Sequence, residues 1–563
     1  MSKHNKTARS QRALVLQGGG TLGAYEAGVL KVLCKKLTEQ DNENEEEGRL
    51  LFDIVAGTSI GAMNGAILVS QFLATQNWQK AAEKLERFWT NQLSVKSLDI
   101  SQLSKPWYDQ WIKRNQTAAS EEAARRYYSV KKLLKNEVRN NMYYLCDPII
   151  KDNKFFDNLS TYNPIHNDWF LHSTKPLQES IEKYAKFPIA TTFFDKSNNK
   201  HQEPRLLVFS VDVAEGMTVT FDSYPKADGS GKPEYGNEQV IRYLGITIEQ
   251  VMASGTLPEF YYYARVPIHP DVEQKDQDPR CIPDKSDSQN SKNIRYFWDG
   301  GLLSNTPLRE LLQAHQDYWN GIENKDKIPD LDVYIVNVHP SKIDINMIPQ
   351  DRDGVKDRQN DIIFGDRTSH YDEKIAHLMT DYSDFVTQMK DLADEAILKV
   401  NDENNKEELK KKLESILKTK ITNKDTKDAT TYEDLMRGGF KLTKLIRIER
   451  TNYINSIYGK TGDLTLQTIN KLIKEGECDA WFSLIQNDID DMQLDVDIQG
   501  SLTDKLNEAM KNFRKNDYED NDSQTYHMLT EFINKVAENK GKLKTHQSDK
   551  LIKSAQALMA ILD

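Results

Sequence analysis

The chain has 563 residues, which at roughly 100–200 residues per domain predicts two or three structural units. Its formal net charge of -11 argues against general affinity for nucleic-acid phosphates. The sequence contains no run of 18 apolar residues that could span a bilayer, no apolar signal core near its polar N-terminus, and four cysteines without a CxxC pair. We therefore expect a cytoplasmic protein with free thiols that needs no metal or other cofactor.

The first part of the chain alternates short apolar strands with helices. A strand is predicted over 13–17, a helix over 22–39, a solvated acidic loop over 41–48, a second strand over 51–56, and a small-residue helix over 60–74. Alternating strands and helices predict an α/β layer fold with a mostly parallel sheet.

The middle of the chain continues this pattern after an interruption. Residues 93–187 are predicted as a mostly helical insertion, in which Trp107, Tyr108 and Trp111 favour packing over contact with a membrane surface. Further elements are then predicted in this order: strands over 205–213 and 218–221, a helix over 247–254, a polar loop over 270–293, a strand over 294–298, a helix over 306–315 and a strand over 333–338.

Beyond residue 345 the composition becomes helical and charged. Amphipathic, solvated helices are predicted over 370–425, one more strand over 445–448, a helix from Leu466 that ends near Gly476, and polar helices over the last 70 residues. We predict one unit over 10–345 and a helical extension over 346–563, with the 440–480 segment packing on the first unit. The sequence predicts no oligomeric state.

A glycine run follows the first strand and opens a helix. Gly18, Gly19, Gly20 and Gly23 leave backbone N–H groups free to converge on an anion, either a phosphate or a developing oxyanion. Their spacing also fits G-x-G-x-x-G, a dinucleotide fingerprint that expects an acidic residue at the end of the next strand. Asp53 instead lies at the beginning of that strand, so an oxyanion hole is favoured over a nucleotide site or a plain turn.

The second strand leads into Gly57-Thr58-Ser59-Ile60-Gly61, which matches the G-x-S-x-G nucleophile elbow. A serine on such a strand-to-helix turn exposes its hydroxyl, and the flanking positions must lack a Cβ to avoid a clash. The helix N-terminus beneath the serine favours negative charge. The context favours a catalytic serine over a structural turn.

A third loop, Asp299-Gly300-Gly301, ends a later strand. An Asp-Gly pair alone is typical of a turn, but strand ends are where α/β sheets place their sites. Two glycines would leave the carboxylate unshielded. Asp212, which also ends a strand, is predicted only to anchor a loop. The aromatic run Phe260–Tyr263 either lines an acyl channel or packs in the core.

Taken together, these three loops resemble the patatin-like phospholipase family, in particular a bacterial-type branch with a long C-terminal extension. The family's motifs are a glycine-rich oxyanion loop, a G-x-S-x-G elbow and a D-G-[GA] base, and Ala253–Pro258 resembles a further family segment. The resemblance covers about residues 12–340. It departs at Leu22, where many members carry Arg or Lys.

The resemblance implies a three-layer α/β/α fold and hydrolysis of lipid acyl esters, as in a phospholipase A or lipase, with peripheral membrane contact. It implies that Ser59 is the nucleophile and Asp299 its direct base, without a histidine. It also implies an oxyanion hole from the amides of Gly18, Gly19, Gly20 and Ile60. Because an ordinary Asp is a poor base at neutral pH, the site must raise its pKa by burial.

Four alternatives stay open from the sequence. The same dyad could transfer the acyl group to an alcohol, or an α/β-hydrolase triad could use His315, His339 or His370. A non-catalytic lipid-binding scaffold would keep the fold without the chemistry, and a nucleotide-binding protein would use the glycine run for phosphate.

Overall fold

The centre of the molecule is a nine-stranded sheet, seen in a computed structural model. The structure describes residues 10–44, 46, 49–94, 174–193, 202–225, 240–242, 245–258, 261, 263–267, 294–320, 328–343, 345, 348, 352–366, 368, 371–419, 431–433, 440–451, 464, 466–514 and 520–563. Most of the predicted insertion lies outside these residues. Six residues named above also lie outside them: Trp107, Tyr108, Trp111, Phe260, Tyr262 and His370.

The strands of the described chain are β1 (Gln11–Leu16), β2 (Ile54–Thr58), β3 (Arg205–Asp212), β4 (Met217–Asp222), β5 (Val240–Arg242), β6 (Ala264–Pro267), β7 (Ile294–Asp299), β8 (Leu331–Asn337) and β9 (Leu442–Glu449). The sheet order is β5-β4-β3-β2-β1-β8-β9, with β7 pairing to both β3 and β6. The consecutive strands β3, β2, β1, β8 and β9 run parallel to one another, whereas β3 pairs antiparallel with β4 and β7. The predicted α/β fold with a mostly parallel sheet is confirmed.

The helices of the described chain are α1 (Gly23–Glu43), α2 (Ile60–Thr75), α3 (Trp78–Arg87), α4 (Lys175–Glu182), α5 (Ile248–Ala253), α6 (Leu308–Asn320), α7 (Arg352–Phe364), α8 (Asp372–Leu398), α9 (Glu403–Leu417), α10 (Leu466–Asp491), α11 (Val496–Phe513), α12 (Asp520–Glu538) and α13 (Thr545–Leu562). A π-helical turn, Phe88–Leu93, follows α3. No described helix is both long and apolar enough to cross a membrane.

Helices cover both faces of the sheet, which explains why its central strands carry buried apolar residues on both faces. Alternate residues of β1 point to opposite faces. Leu14 and Leu16 join the large core formed with α1, α2 and the C-terminal helices, whereas Ala13 and Val15 join the smaller core against α6. The result is a three-layer α/β/α arrangement.

Strand β3 brings the end of β2 and the end of β7 together. One of its edges pairs with β4 over Leu207–Asp212. Its other edge pairs first with β2, up to Phe209 opposite Thr58, and then with the antiparallel β7, from Ser210 opposite Asp299. Because β2 and β7 occupy successive stretches of the same edge, the end of β2 and the end of β7 face each other.

The segment after residue 440 is built into this core. Strand β9 adds to the sheet in parallel beside β8, and α10 crosses α1. A Cβ on Gly28 would lie 2.0 Å from the carbonyl oxygen of Ile473, and one on Gly476 would lie 2.1 Å from that of Tyr25. The expected helix end at Gly476 is therefore wrong, since this glycine allows two helix backbones to touch.

The acidic stretch after residue 40 also differs from the expected solvated loop. Helix α1 continues to Glu43, and Asp41 is buried. Its two carboxylate oxygens accept hydrogen bonds from both terminal nitrogens of the Arg12 guanidinium, at 2.8 and 2.7 Å. This bidentate pair draws the start of the acidic stretch into the folded body.

Candidate active site

Ser59 sits on a strained turn between β2 and α2. Its φ of 55° and ψ of -124° lie outside the regions that non-glycine residues usually adopt. Its amide donates to Ser254 Oγ at 2.8 Å, and that hydroxyl donates to the carbonyl of Phe209 on β3 at 2.5 Å. Ser254 thus fastens the turn to the neighbouring strand.

The two glycines of the elbow permit a close approach that no side chain would tolerate. A Cβ on Gly57 would lie 2.4 Å from the backbone of Gly61, and one on Gly61 would lie 2.4 Å from the carbonyl oxygen of Leu16. Helix α2 can therefore start directly against the end of β1, which keeps its N-terminus beneath Ser59.

Asp299 lies at the end of β7 and faces this serine. Ser59 Oγ donates to Asp299 Oδ2 at 2.7 Å, and the amide of Gly301 donates to Oδ1 at 2.7 Å. The Asp299 amide donates to the carbonyl of Thr256 at 2.9 Å. Both oxygens of the carboxylate thus have one donor each, in a site where the serine and the aspartate are buried.

Burial changes the acidity of this aspartate. Loss of solvation raises the pKa of Asp299 from 3.8 to about 6, against the opposing effects of the Gly301 amide and the Ser59 hydroxyl. A carboxylate with this pKa is still ionised at neutral pH, but it binds a proton far more readily than an exposed aspartate. The pair can therefore move a proton from the serine to the aspartate and back.

The glycine run follows β1 and lies against the same serine. A Cβ on Gly18 would lie 2.9 Å from Ser59 Cβ. Gly20 has a φ of 58° and opens a 3-10 turn that leads into α1 at Gly23. Within the part of the chain that is described, the amides of Gly19, Gly20 and Ile60 donate to no protein group, so these N–H groups are available to an anion.

Comparison with known proteins identifies the family of the chain. The family model described as patatin-like phospholipase matches residues 14–312, which is more than half of the chain. The chain belongs to the patatin-like phospholipase family. Members of this family are lipid hydrolases, and the match includes Ser59, Asp299 and the glycine run.

The other comparisons give little further information about this patatin-like phospholipase. No curated protein matches the chain. Among solved structures, the chain is similar to the crystal structure of VipD from Legionella pneumophila, with 14% sequence identity and a TM-score of 0.24. That alignment covers 100% of this chain and 95% of the other. So low a TM-score carries no argument about the site.

Two amide side chains that sequence reasoning missed hold the loops of this patatin-like phospholipase together. Asn305 Nδ2 donates to the carbonyls of Gly18 and Phe364 at 3.0 and 2.6 Å, and the Gly18 amide donates to the Asn305 carbonyl at 3.2 Å. Gln17 Nε2 donates to Thr306 Oγ1 at 2.8 Å. The only sequence signal was their position next to the glycine run and to the start of α6.

The remaining predicted residues make other contacts. His315 is buried and hydrogen-bonds the carbonyl of Pro329 at 2.9 Å, and His339 Nδ1 lies 3.0 Å from Asp361 Oδ1. Asp212 Oδ1 accepts from the amides of the β3–β4 turn, so it is a loop anchor. Leu22 is buried in the core of α1 and α2, and leaves no cationic side chain at that position.

A cavity of about 490 Å³ lies on the α6 face of the sheet. It is lined by Met217, Thr218, Thr220, Val240, Leu303, Arg309, Glu310, Gln313 and Ala314, so neither Ser59 nor Asp299 borders it.

Of the aromatic run, Tyr261 is buried and Tyr263 packs edge-on against Tyr296. In the described ranges, no group of three or more His, Cys, Asp or Glu could hold a metal ion.

Proposed function

We propose that the chain hydrolyses acyl esters of lipids through a Ser59–Asp299 dyad and an acyl-enzyme intermediate. The observation that carries this proposal is the 2.7 Å hydrogen bond from Ser59 Oγ to Asp299 Oδ2, made at the strand ends where the amides of Gly19 and Gly20 donate to no group of the described chain. Family membership supports lipid hydrolysis in general, and this contact supports the particular mechanism.

In the first half of the reaction, Asp299 takes the proton of the Ser59 hydroxyl as Oγ attacks the ester carbonyl carbon. The carbonyl oxygen becomes an oxyanion, and the tetrahedral intermediate collapses by breaking the bond to the alcohol oxygen. The protonated Asp299 passes its proton to that leaving oxygen. The products are a free alcohol, for instance a lysophospholipid, and an ester of Ser59.

In the second half, a water molecule attacks the acyl carbonyl while Asp299 takes one of its protons. The new tetrahedral intermediate expels Ser59 Oγ, which recovers a proton from Asp299. A fatty acid is released and the dyad returns to its starting state. One carboxylate serves both halves because its pKa, raised to about 6 by burial, suits both accepting and returning a proton near neutrality.

The oxyanion of both intermediates would be held by neutral donors. The amides of Gly19, Gly20 and Ile60 make no bond within the described chain, and Ile60 is the first residue of α2, where the helix dipole favours negative charge. With Leu22 in place of a basic residue, charge development is met by backbone dipoles, whose loss typically costs about 10²–10³-fold in kcat per donor.

The test is covalent labelling and turnover on the purified chain. A fluorophosphonate probe should label the wild type, and a panel of phospholipids, lysophospholipids, acylglycerols and short p-nitrophenyl esters should identify its substrate. Ser59→Ala should lose labelling and turnover, and Asp299→Asn should lose turnover. Ser548→Ala, which changes a buried serine of the last helix, is the matched control. Turnover that survives in Ser59→Ala would refute the dyad, and acyl transfer to added glycerol would redefine the product.

We also propose that the protein acts in the cytoplasm and associates peripherally with lipid surfaces. We further propose that residues 10–345 form its catalytic unit and that residues 346–563 form an extension. Sedimentation with phosphatidylcholine vesicles, with and without anionic lipid, tests the first statement. Failure to sediment with either kind of vesicle would contradict the proposed contact with lipid surfaces.

A further inference from the structure

The glycine run rests on the end of β8, which the family match to 14–312 does not include. A Cβ placed on Gly19 would lie 2.5 Å from Val338 Cγ2 and 3.4 Å from His339 Nε2. The space beside Gly19 that a side chain would occupy is therefore filled by a valine methyl and bordered by an imidazole nitrogen. A shift of this imidazole would change the packing beside Gly19.

The imidazole itself is held on its other nitrogen by a helix outside the matched region. His339 Nδ1 lies 3.0 Å from Asp361 Oδ1 on α7, and their side chains are 2% and 0% exposed. A carboxylate at this distance fixes the ring orientation, because Nδ1 must carry the proton that it donates. Nε2 is thereby directed to the glycine run.

The backbone of the same residue is tied to the same loop. Gln17 Oε1, one residue before Gly18, accepts from the amides of Val338 and His339 at 2.8 and 2.9 Å. The loop and the residues that follow β8 are thus joined by hydrogen bonds, and the imidazole lies between Asp361 and the open side of Gly19.

A buried imidazole–carboxylate pair is a costly way to fill space. An apolar pair of similar volume would avoid the desolvation of two polar groups, and such replacements are often neutral or stabilising. What an apolar pair would not supply is a fixed ring orientation behind one particular peptide. Amide donors must be held within roughly 0.5 Å of their working positions, so a fixed support behind Gly19 has a use in catalysis.

We propose that His339, oriented by Asp361, is a positioning residue that sets the glycine run for oxyanion binding. It is not the base, since the serine hydroxyl donates to Asp299. This inference rests on the proposed function. It assigns a part in catalysis to α7, which lies beyond the matched domain.

The decisive variant is His339→Asn in the full-length chain. The asparagine amide can overlay Nδ1 and keep the bond to Asp361, while the atoms against Gly19 are lost. We expect kcat to fall about 10²-fold, as for a small misplacement of catalytic groups, with KM within about twofold. Fluorophosphonate labelling should slow in proportion, because the probe also needs the oxyanion donors. Asp361→Asn, which keeps the helix but removes the charge, should also lower kcat.

His315→Asn is the matched control, because His315 is also fully buried. It lies in α6, and its ring hydrogen-bonds the carbonyl of Pro329. The variant should lower the melting temperature without lowering the kcat of the folded protein. An unchanged kcat in His339→Asn, or equal losses in both histidine variants, would overturn the proposal. If His339→Asn and Asp361→Asn both fail to fold, the pair is a folding determinant and the proposal is wrong. Loss of the dyad mechanism itself would instead appear as a wild type that the probe does not label.

Discussion

Replacing Asp299 by asparagine should abolish turnover and at the same time stabilise the folded protein near neutral pH. The carboxyl has a pKa of about 6 in the folded chain, against 3.8 as its ordinary value. Between these values the folded state holds a proton that the unfolded state has released, so the free energy of unfolding falls as the pH rises. Each pKa unit corresponds to about 1.4 kcal/mol, which gives a cost of about 3 kcal/mol at pH 8.

The asparagine variant should escape that cost while keeping the local bonds. Its Oδ1 can still accept from the Gly301 amide, and its Nδ2 can donate to Ser59 Oγ, which is free to accept. Urea unfolding should therefore give Asp299→Asn a free energy of unfolding that exceeds the wild type by up to about 3 kcal/mol at pH 8 and by almost nothing at pH 4. Other buried carboxyls, such as Asp53 with its pKa of about 6, titrate in both proteins and cancel in the difference.

Ser59→Ala separates the two effects. It should lose activity but keep the pH dependence of stability, because Asp299 remains buried and loses only a hydrogen bond that lowers its pKa. A free energy of unfolding for Asp299→Asn that exceeds the wild type equally at pH 4 and pH 8 would refute the electrostatic reasoning, and so would an asparagine variant less stable than the wild type at pH 8.

Three further outcomes are expected from the geometry of the site and of the helix packing. The wild-type kcat/KM should fall below pH 6, with an apparent pKa near 6 that reports protonation of Asp299, and a profile flat down to pH 4.5 would exclude this carboxylate as base. Gly61→Ala should lower both melting temperature and activity, because its methyl would lie 2.4 Å from the carbonyl that ends β1; thermal melts and ester turnover on the same preparation check this. Gly476→Ala should lower the melting temperature, since its methyl would meet the Tyr25 carbonyl at 2.1 Å, whereas Gly500→Ala, with open space around it in α11, should be neutral or stabilising by up to about 1 kcal/mol.

The sequence predicted the elements whose signals are local. The G-x-S-x-G turn indicated the position of Ser59 between strand and helix, and the strand end at Asp299 was predicted from an apolar run followed by two glycines. Both signals work because a tight turn restricts the residues that can occupy it. The resemblance to a family then linked loops that lie 240 residues apart in the chain.

The features that the sequence did not predict depend on distant partners. Helix α1 runs past its apolar stripe because Asp41 meets Arg12, and α10 continues through Gly476 because a second helix needs the space. Asn305 and the pairing of His339 with Asp361 carry no local pattern, since a lone amide or imidazole usually satisfies some nearby backbone group. Such roles become visible only when the strand ends are brought together.

The contacts between the central sheet and the C-terminal helices also limit where the chain can be truncated. A fragment that stops near residue 345 would keep every motif of the family, yet it would uncover the outer edge of β8, normally paired with β9, and the groove on α1 that receives α10. An open apolar edge strand is a template for aggregation. Expression of a fragment that ends near residue 345 should therefore yield insoluble material, and a shorter protein would have to retain β9 and α10.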